Sequence, residues 1–359
     1  MRLTRRGRVV VAAAVLIAVS GLAFGPRALD ALVVPAVVAL AAAYLQLRWA
    51  ESPVADREIP PDDHAGRTHT VRLSFGDADG PRSSADAGLR RPFPGTVRER
   101  VGDGVAADRL EFRTVVGATP VEYDVAYEER GRHRLGPAAV TARDVLGLAE
   151  RELSTTATAE VLVYPEVHAI AGWARRDLRA LHERGVHRER REFDRLREYD
   201  RGDSLRDVHW KSTAKYDDLV VKEFTAEAET EAVSLSAGAS AAPGAADGMA
   251  EATASLALAL AEDGVPVEVR LADGAVTVTG ERGSQVRLLE RLAVAGPGRV
   301  ADAEADVTVY GEADGVAVAV AGEDHAFEEF RAARPATYGV VRPGDRTGEP
   351  RRGDGEVTA

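Results

Sequence analysis

Cysteine is absent from this 359-residue chain, methionine occurs twice, tryptophan three times, and aromatic residues make up 5% of the whole. Lysine is almost as scarce, with Lys211, Lys215 and Lys222 as the full set. Without a thiol, a disulfide framework, a thiolate zinc site, a cysteine-held iron-sulfur cluster and a cysteine nucleophile are all excluded. The lack of disulfides suits a cytosol without proving one. Positive charge is in the minority, 46 basic against 58 acidic side chains for a net charge of -12. That is the wrong sign for a surface that neutralises a phosphate backbone, so no nucleic-acid partner is expected. At 45% hydrophobic residues the chain is too apolar to be disordered, and its length allows two folded domains with extras. Abundant Ala, Asp and Glu with Arg in place of Lys fits a protein of a salt-rich cytoplasm, as in a halophilic archaeon. A GC-rich genome gives the same Arg and Ala. The two readings part on whether the fold survives removal of salt.

Arg2, Arg5, Arg6 and Arg8 precede an uncharged run from Val9 to Phe24. A turn at Gly25-Pro26-Arg27 follows, then a second apolar run from Ala31 to Leu47, closed by Arg48. Each run is somewhat short of the ~20 residues that span a bilayer core. Two such runs joined by a tight turn are expected to form a two-helix transmembrane hairpin over residues 1–50. Arginines flank both outer ends, which places both termini in the cytoplasm of a two-pass cell-membrane protein. A cleaved twin-arginine signal is the rival, weakened by Arg8 and by the lack of a small-x-small cleavage site.

Residues 51–165 open on a polar, Pro-rich linker to about Ala65. Alternating runs follow at 69–75, 96–101, 109–116, 121–127, 133–141 and 159–164, the pattern of an all-β sandwich. Residues 166–224 begin with a charged, helical-looking stretch, Gly172 to Arg201, that carries ten arginines among seven acids. Such a run is a solvated helix face laced with ion pairs. From 225 to 330, strand-like and helix-period segments alternate, which predicts an α/β domain with a mainly parallel sheet. Residues 331–359 are rich in Gly, Pro, Arg and Asp and are expected to be a disordered tail.

Arg191 to Phe224 is the informative segment. Tyr199 to Gly202 has loop chemistry, Asp203 or Ser204 supplies an N-cap, and Leu205, Val208, His209 and Ser212 recur at helical spacing. A strand over Leu219 to Phe224 follows. All three lysines fall here, in a chain whose other basic residues are all arginine, so the compact ammonium is expected to be needed where a planar guanidinium would not fit.

These residues resemble the domain of unknown function 58 family, whose signature runs R-E-Y-x-x-G-D-x-x-R-x-I-x-W-K-x-S-A and then a short strand ending in E-F. Arg197, Glu198, Tyr199, Gly202, Asp203, Arg206, Trp210, Lys211 and Ala214 match it, as do Glu223 and Phe224, while Val208 and Thr213 depart mildly. His209 lies within the same run. Upstream, Gly131 to Pro137 and Asp144-Val145-Leu146-Gly147-Leu148 are similar to the family's strand and D-P-F-G-L turn. The resemblance implies membrane-anchored proteins with a β-sandwich and a von Willebrand factor A-like region, encoded beside MoxR-type AAA ATPases and transglutaminase-like proteins. No catalytic activity comes with it. The fold class expected is therefore a membrane α-hairpin plus an all-β sandwich plus an α/β von Willebrand A-like domain.

A von Willebrand A site holds Mg²⁺ through D-x-S-x-S. Here that loop reads Ser236-Ala237-Gly238-Ala239-Ser240, which lacks the anionic ligand, so no metal and no cofactor is expected. Asp203, His209 and Lys211 are compatible with acid-base chemistry, but there is no G-x-S-x-G, no phosphate-cradling G-x-x-x-x-G-K-[ST] and no H-x-x-x-H. The expected function is a membrane-anchored binding or scaffold protein, with membrane lipid at the hairpin and a MoxR-type AAA ATPase as partner. A hydrolase or nuclease acting through Asp203, His209 and Lys211 is the alternative.

Overall fold

The computed structural model describes residues 1–24, 30–77, 88–189, 195–198, 220–223 and 232–332. It divides into two compact units, one built on Met1–Val163 and the other on Tyr164–Gly339.

The first unit opens with a short strand β1 (Arg2–Leu3) and two helices, α1 (Arg5–Phe24) and α2 (Asp30–Arg48). The strands β2 (Val54–Glu58), β3 (Asp63–His64), β4 (Thr68–Gly76), β5 (Phe93–Arg98), β6 (Val105–Ala107), β7 (Glu111–Val116) and β8 (Val121–Tyr127) come next. β9 (Gly131–Leu135), β10 (Ala139–Arg143), β11 (Ala149–Ser154) and β12 (Ala159–Tyr164) complete it. They form a five-stranded sheet ordered β1-β11-β10-β5-β7, a four-stranded sheet β2-β4-β8-β6 and a three-stranded sheet β3-β12-β9. Period-two alternation decides which face is inward. On β8, Val121, Tyr123, Val125 and Tyr127 are buried while Glu122 and Asp124 are exposed. They join Val71, Leu73 and Phe75 of β4 and Val97, Val140 and Leu153 of the larger sheet in one core. Each large apolar side chain so buried stabilises by about 1.5–3 kcal/mol.

In the second unit, helix α3 (Gly172–Glu189) and the strand pair β13 (Arg195–Glu198) and β14 (Val220–Glu223) precede a six-stranded sheet. That sheet comprises β15 (Val233–Ala239), β16 (Val267–Leu271), β17 (Gly274–Val278), β18 (Val307–Glu312), β19 (Gly315–Val320) and β20 (Glu323–Ala326), ordered β17-β16-β15-β18-β19-β20. Helices α4 (Ala245–Glu262), α5 (Arg282–Val294) and α6 (Phe327–Phe330) accompany it. The alanines and leucines of α4 are buried almost without break from Ala252 to Ala261, as expected of a helix apolar on nearly every face. Its carboxyl end is held by Arg175, which donates to both Asp263 oxygens at 3.0 and 2.7 Å and to the Ala259 carbonyl at 3.2 Å. A cation at that end also complements the helix dipole.

The expected membrane α-hairpin, all-β sandwich and α/β von Willebrand A-like domain are corrected by this architecture, which is mostly β-sheet in several sheets with few helices. Among the described residues no helix is long and apolar enough to cross a membrane. The uncharged runs, residues 9–24 in α1 and 31–47 in α2, both fall short of the ~20 residues that span a bilayer core. The C-terminal sheet is not mainly parallel either. β15 runs parallel to β16 and β18, but β16–β17, β18–β19 and β19–β20 are antiparallel. α4 makes the crossover from β15 to β16, whereas tight hairpins join the three antiparallel pairs. At the last of them Ala321 and Gly322 both adopt left-handed φ, 52° and 86°, which matches the twist of the flanking strands.

The expected linker over 51–65 contains β2 and β3. Of the charged stretch from Gly172 to Arg201, Gly172–Glu189 is helix and Arg195–Glu198 strand, and the rest lies outside the described residues. The tail expected over 331–359 falls, beyond Ala332, outside the described residues.

Candidate functional site

Of the eleven residues that match the signature and His209 within the same run, three have a described backbone. Arg197 and Glu198 lie on β13 and Glu223 on β14, and these strands pair antiparallel with Arg195 opposite Glu223, Leu196 opposite Lys222, Arg197 opposite Val221 and Glu198 opposite Val220. Tyr199, Gly202, Asp203, Arg206, His209, Trp210, Lys211, Ala214 and Phe224 lie outside the described residues. The strand expected at Leu219 to Phe224 is thus given a partner, and the signature begins on that partner strand.

Ser236 to Ser240, the segment that would carry the metal ligands of a von Willebrand A site, occupies most of β15 and its exit. Ser236 is fully buried and its Oγ accepts a hydrogen bond from the Asp302 amide at 2.9 Å. Ala239 exchanges two backbone hydrogen bonds with Gly298, of 2.8 and 2.9 Å, and the Ser240 amide donates to the Gly311 carbonyl at 2.9 Å. These polar groups are spent on holding neighbouring segments. A cavity of about 280 Å³ opens beside them, lined by Gly238, Met249, Leu271, Asp273, Pro297 and other small residues. Its carboxylate, Asp273, is 3.1 Å from Arg291. Among the described residues no group of three or more His, Asp or Glu is placed to hold a metal ion.

The junction of the two first helices with the sheets is where apolar and basic side chains converge on the surface. β1 pairs with β11, bringing Arg2 opposite Glu150, and the Thr4 hydroxyl donates to the Gly147 carbonyl at 2.6 Å. At the other end of the helical pair, Arg151 donates to the carbonyls of Leu47 and Ala50, each at 3.1 Å. Ala43 and Leu47 of α2 are buried in the core of the unit. Beyond this attachment the helices expose Val9, Val15, Leu16, Val19, Val34, Val37 and Val38. Around it Arg5, Arg6, Arg8, Arg48, Tyr44 and Trp49 are all exposed, and the Arg91 guanidinium stands 5.7 Å from the centre of the Trp49 ring.

Three side-chain clusters were not foreseen from the sequence. Arg57 and Glu99, both almost wholly buried, share a bidentate contact of 3.1 to 3.3 Å, and Arg57 also donates to the Ala157 carbonyl at 2.7 Å. Asp63 and His69 meet at 3.1 Å, with the His69 ring 5.1 Å from that of Tyr127. The Tyr127 phenol is pushed up by burial first and by the nearby Asp62 and Asp63 carboxylates second. It donates to the Pro61 carbonyl at 3.0 Å. In the second unit the rings of Trp173, His325 and Phe330 meet tilted or edge-on with centres 5.4 to 6.4 Å apart. Each cluster joins residues far apart in sequence, Arg57 to Glu99, Tyr127 to Asp63 and His69, Trp173 to His325 and Phe330, so no local spacing announces it.

Three solved structures bear a weak likeness to the chain. WR4, a C. elegans MSP family member, has a TM-score of 0.19 at 5% identity, covering 31% of this chain and 97% of that one. A cohesin module from a Clostridium perfringens ATCC13124 family 33 glycoside hydrolase has 0.21 at 7% identity, covering 32% and 98%. Domains 4 and 5 of the S-layer protein SbsC have 0.15 at 13% identity, covering 29% of this chain and 54% of that one. Scores this low carry no argument for fold or function. No curated protein matches the chain. Residues 195–314, from β13 to the turn after β18, match the family described as protein of unknown function DUF58.

Proposed function

We propose that this chain is a binding or scaffold protein held at the cytoplasmic face of the cell membrane by α1 and α2, with a MoxR-type AAA ATPase as its partner. The carrying observation is the surface of the helical pair. Six valines and Leu16, each more than half exposed, are spread along both helices, and Arg5, Arg6, Arg8 and Arg48 stand at the end fastened to the sheets. Apolar surface on this scale marks an interaction site, and basic residues beside it suit anionic headgroups. The partner follows from the DUF58 resemblance, and the signature segment is the docking surface it suggests.

Flotation of the full-length protein with liposomes containing phosphatidylglycerol tests the lipid half of the reading. The protein is expected in the floated fraction, and recovery at the bottom of the gradient with every composition would overturn the reading. Pull-down from native membranes tests the other half. An ATPase is expected with the wild type and lost with Lys211→Ala while the variant stays folded. Equal capture by that folded variant removes the signature from the docking surface.

A further inference from the structure

The turn between β10 and β11 is built around a buried carboxylate. Asp144 is 3% exposed, and its oxygens accept hydrogen bonds from the amides of Leu146 at 2.9 Å and Ala149 at 2.7 Å. Its backbone carbonyl accepts from the Gly147 amide at 2.9 Å. Four polar groups of a five-residue turn are thereby fixed. Yet the tip carries Val145, 75% exposed, and Leu146, 55% exposed, in place of the Asn, Asp, Gly or Ser that turns favour. A single exposed apolar residue needs no explanation. Two at the tip of a turn held from within form a rigid apolar point.

The neighbours identify its occupant. Both helices abut the turn: Thr4 bonds to Gly147 and Leu148, and the Gln46 side-chain oxygen accepts from the Val145 amide at 3.4 Å. On the other side of Ala149 an apolar crevice of about 410 Å³ is lined by Met1, Leu3, Val11, Leu40 and Tyr44, with Arg2 at its wall. Arg2 is taken up by Glu150 and Glu152, whereas Arg5, Arg6, Arg8 and Arg48 have no ion-pair partner among the described residues. Apolar tip, apolar crevice and uncommitted cations at one end of the helical pair together complement an anionic phospholipid surface, where acyl chains lie just beneath phosphates.

We propose that the Val145-Leu146 turn is a second lipid-contact site, inserting between the headgroups of an anionic bilayer while the four arginines engage phosphate. It rests on the reading that α1 and α2 bind lipid, and it adds that the β-sheet unit itself touches the membrane. The absence of cysteine provides the probe. Val145→Cys in the full-length protein takes a single environment-sensitive fluorophore, and its emission is read with vesicles of phosphatidylcholine with and without phosphatidylglycerol. A blue shift is expected with the anionic vesicles. The double variant V145S/L146S is expected to bind them roughly tenfold more weakly with unchanged thermal stability, both side chains being largely exposed. If the wild type fails to bind any vesicle, the broader reading falls and takes this one with it. If the wild type binds but the label does not shift and V145S/L146S binds equally well, this inference alone is overturned. A shift produced by a protein in a membrane extract but not by lipid vesicles would also overturn it, making the turn a protein-docking point.

Discussion

Arg57 is the residue whose sequence setting is least informative about its role. It lies in a polar, Pro-flanked stretch expected to be a linker, while Glu99 sits in the expected run 96–101 as one acid among many. The structure removes both from water and joins them across 42 positions of sequence. A buried pair of this kind contributes little beyond what apolar residues would, but breaking it leaves one charge stranded. Glu99→Ala is therefore expected to destabilise the first unit by about 3–5 kcal/mol, read as a lower urea midpoint with little change in slope. R57M/E99L is expected to recover most of that loss. If Glu99→Ala unfolds at the wild-type midpoint, water has access to the pair and the burial argument fails. Long-range ion pairs leave no local period in a sequence, and so this one was not legible.

At the scale of elements, alternation was a good guide where both strand faces have contrasting neighbours. The runs at 69–75, 121–127 and 159–164 correspond to β4, β8 and β12 within one or two residues at each end. The run 133–141 is two strands, β9 and β10, separated at Gly136-Pro137, where proline removes a ladder donor. β2 and β11 escaped notice because their inward residues are few: Val54–Glu58 buries Ala55 and the charged Arg57, and Ala149–Ser154 buries Ala149 and Leu153. The helical runs near the N-terminus were legible as helices, but their attachment was not. It depends on Gly7, where a Cβ would fall on the Leu148 carbonyl oxygen, so α1 can approach the β10–β11 turn only with glycine there. Gly7→Val is expected to push α1 away, cost about 1–3 kcal/mol by overpacking, and speed amide exchange from Leu3 to Arg8. Gly296→Ala, where a Cβ meets nothing within 4 Å, is the matched substitution expected to change neither. Equal exchange in the Gly7 variant would show that the helix does not depend on this approach.

Over the whole molecule, charge is unevenly placed. Thr225 to Phe330 carries 20 acids against 5 basic residues, more net negative charge than the entire chain. Some of these acids are committed: Arg270 bridges Glu268 and Asp302, whose carboxylates raise its pKa, the Glu268 hydrogen bond acting most. Others pair with Arg175, Arg291 and Arg331, yet acids outnumber bases fourfold in this segment, and such net self-repulsion disfavours a compact state. The exposed arginines at the base of α1 and α2 depend on attraction to an anionic surface instead. Salt therefore acts in opposite directions on the two units. Raising it from about 0.1 M to about 1 M shortens the screening length from ~10 Å to ~3 Å. Peptide-level hydrogen exchange is expected to show α4 and β15 gaining protection across that range. Binding to phosphatidylglycerol vesicles is expected to fall over the same range, leaving the part carried by Val145, Leu146 and the helical valines. Protection of α4 that does not rise with salt would mean that the acids are already neutralised locally, and the acidic composition would then trace to nucleotide bias. Protection lost at low salt would mark it as an adaptation of the fold to a salt-rich cytoplasm, which composition by itself left open between the two.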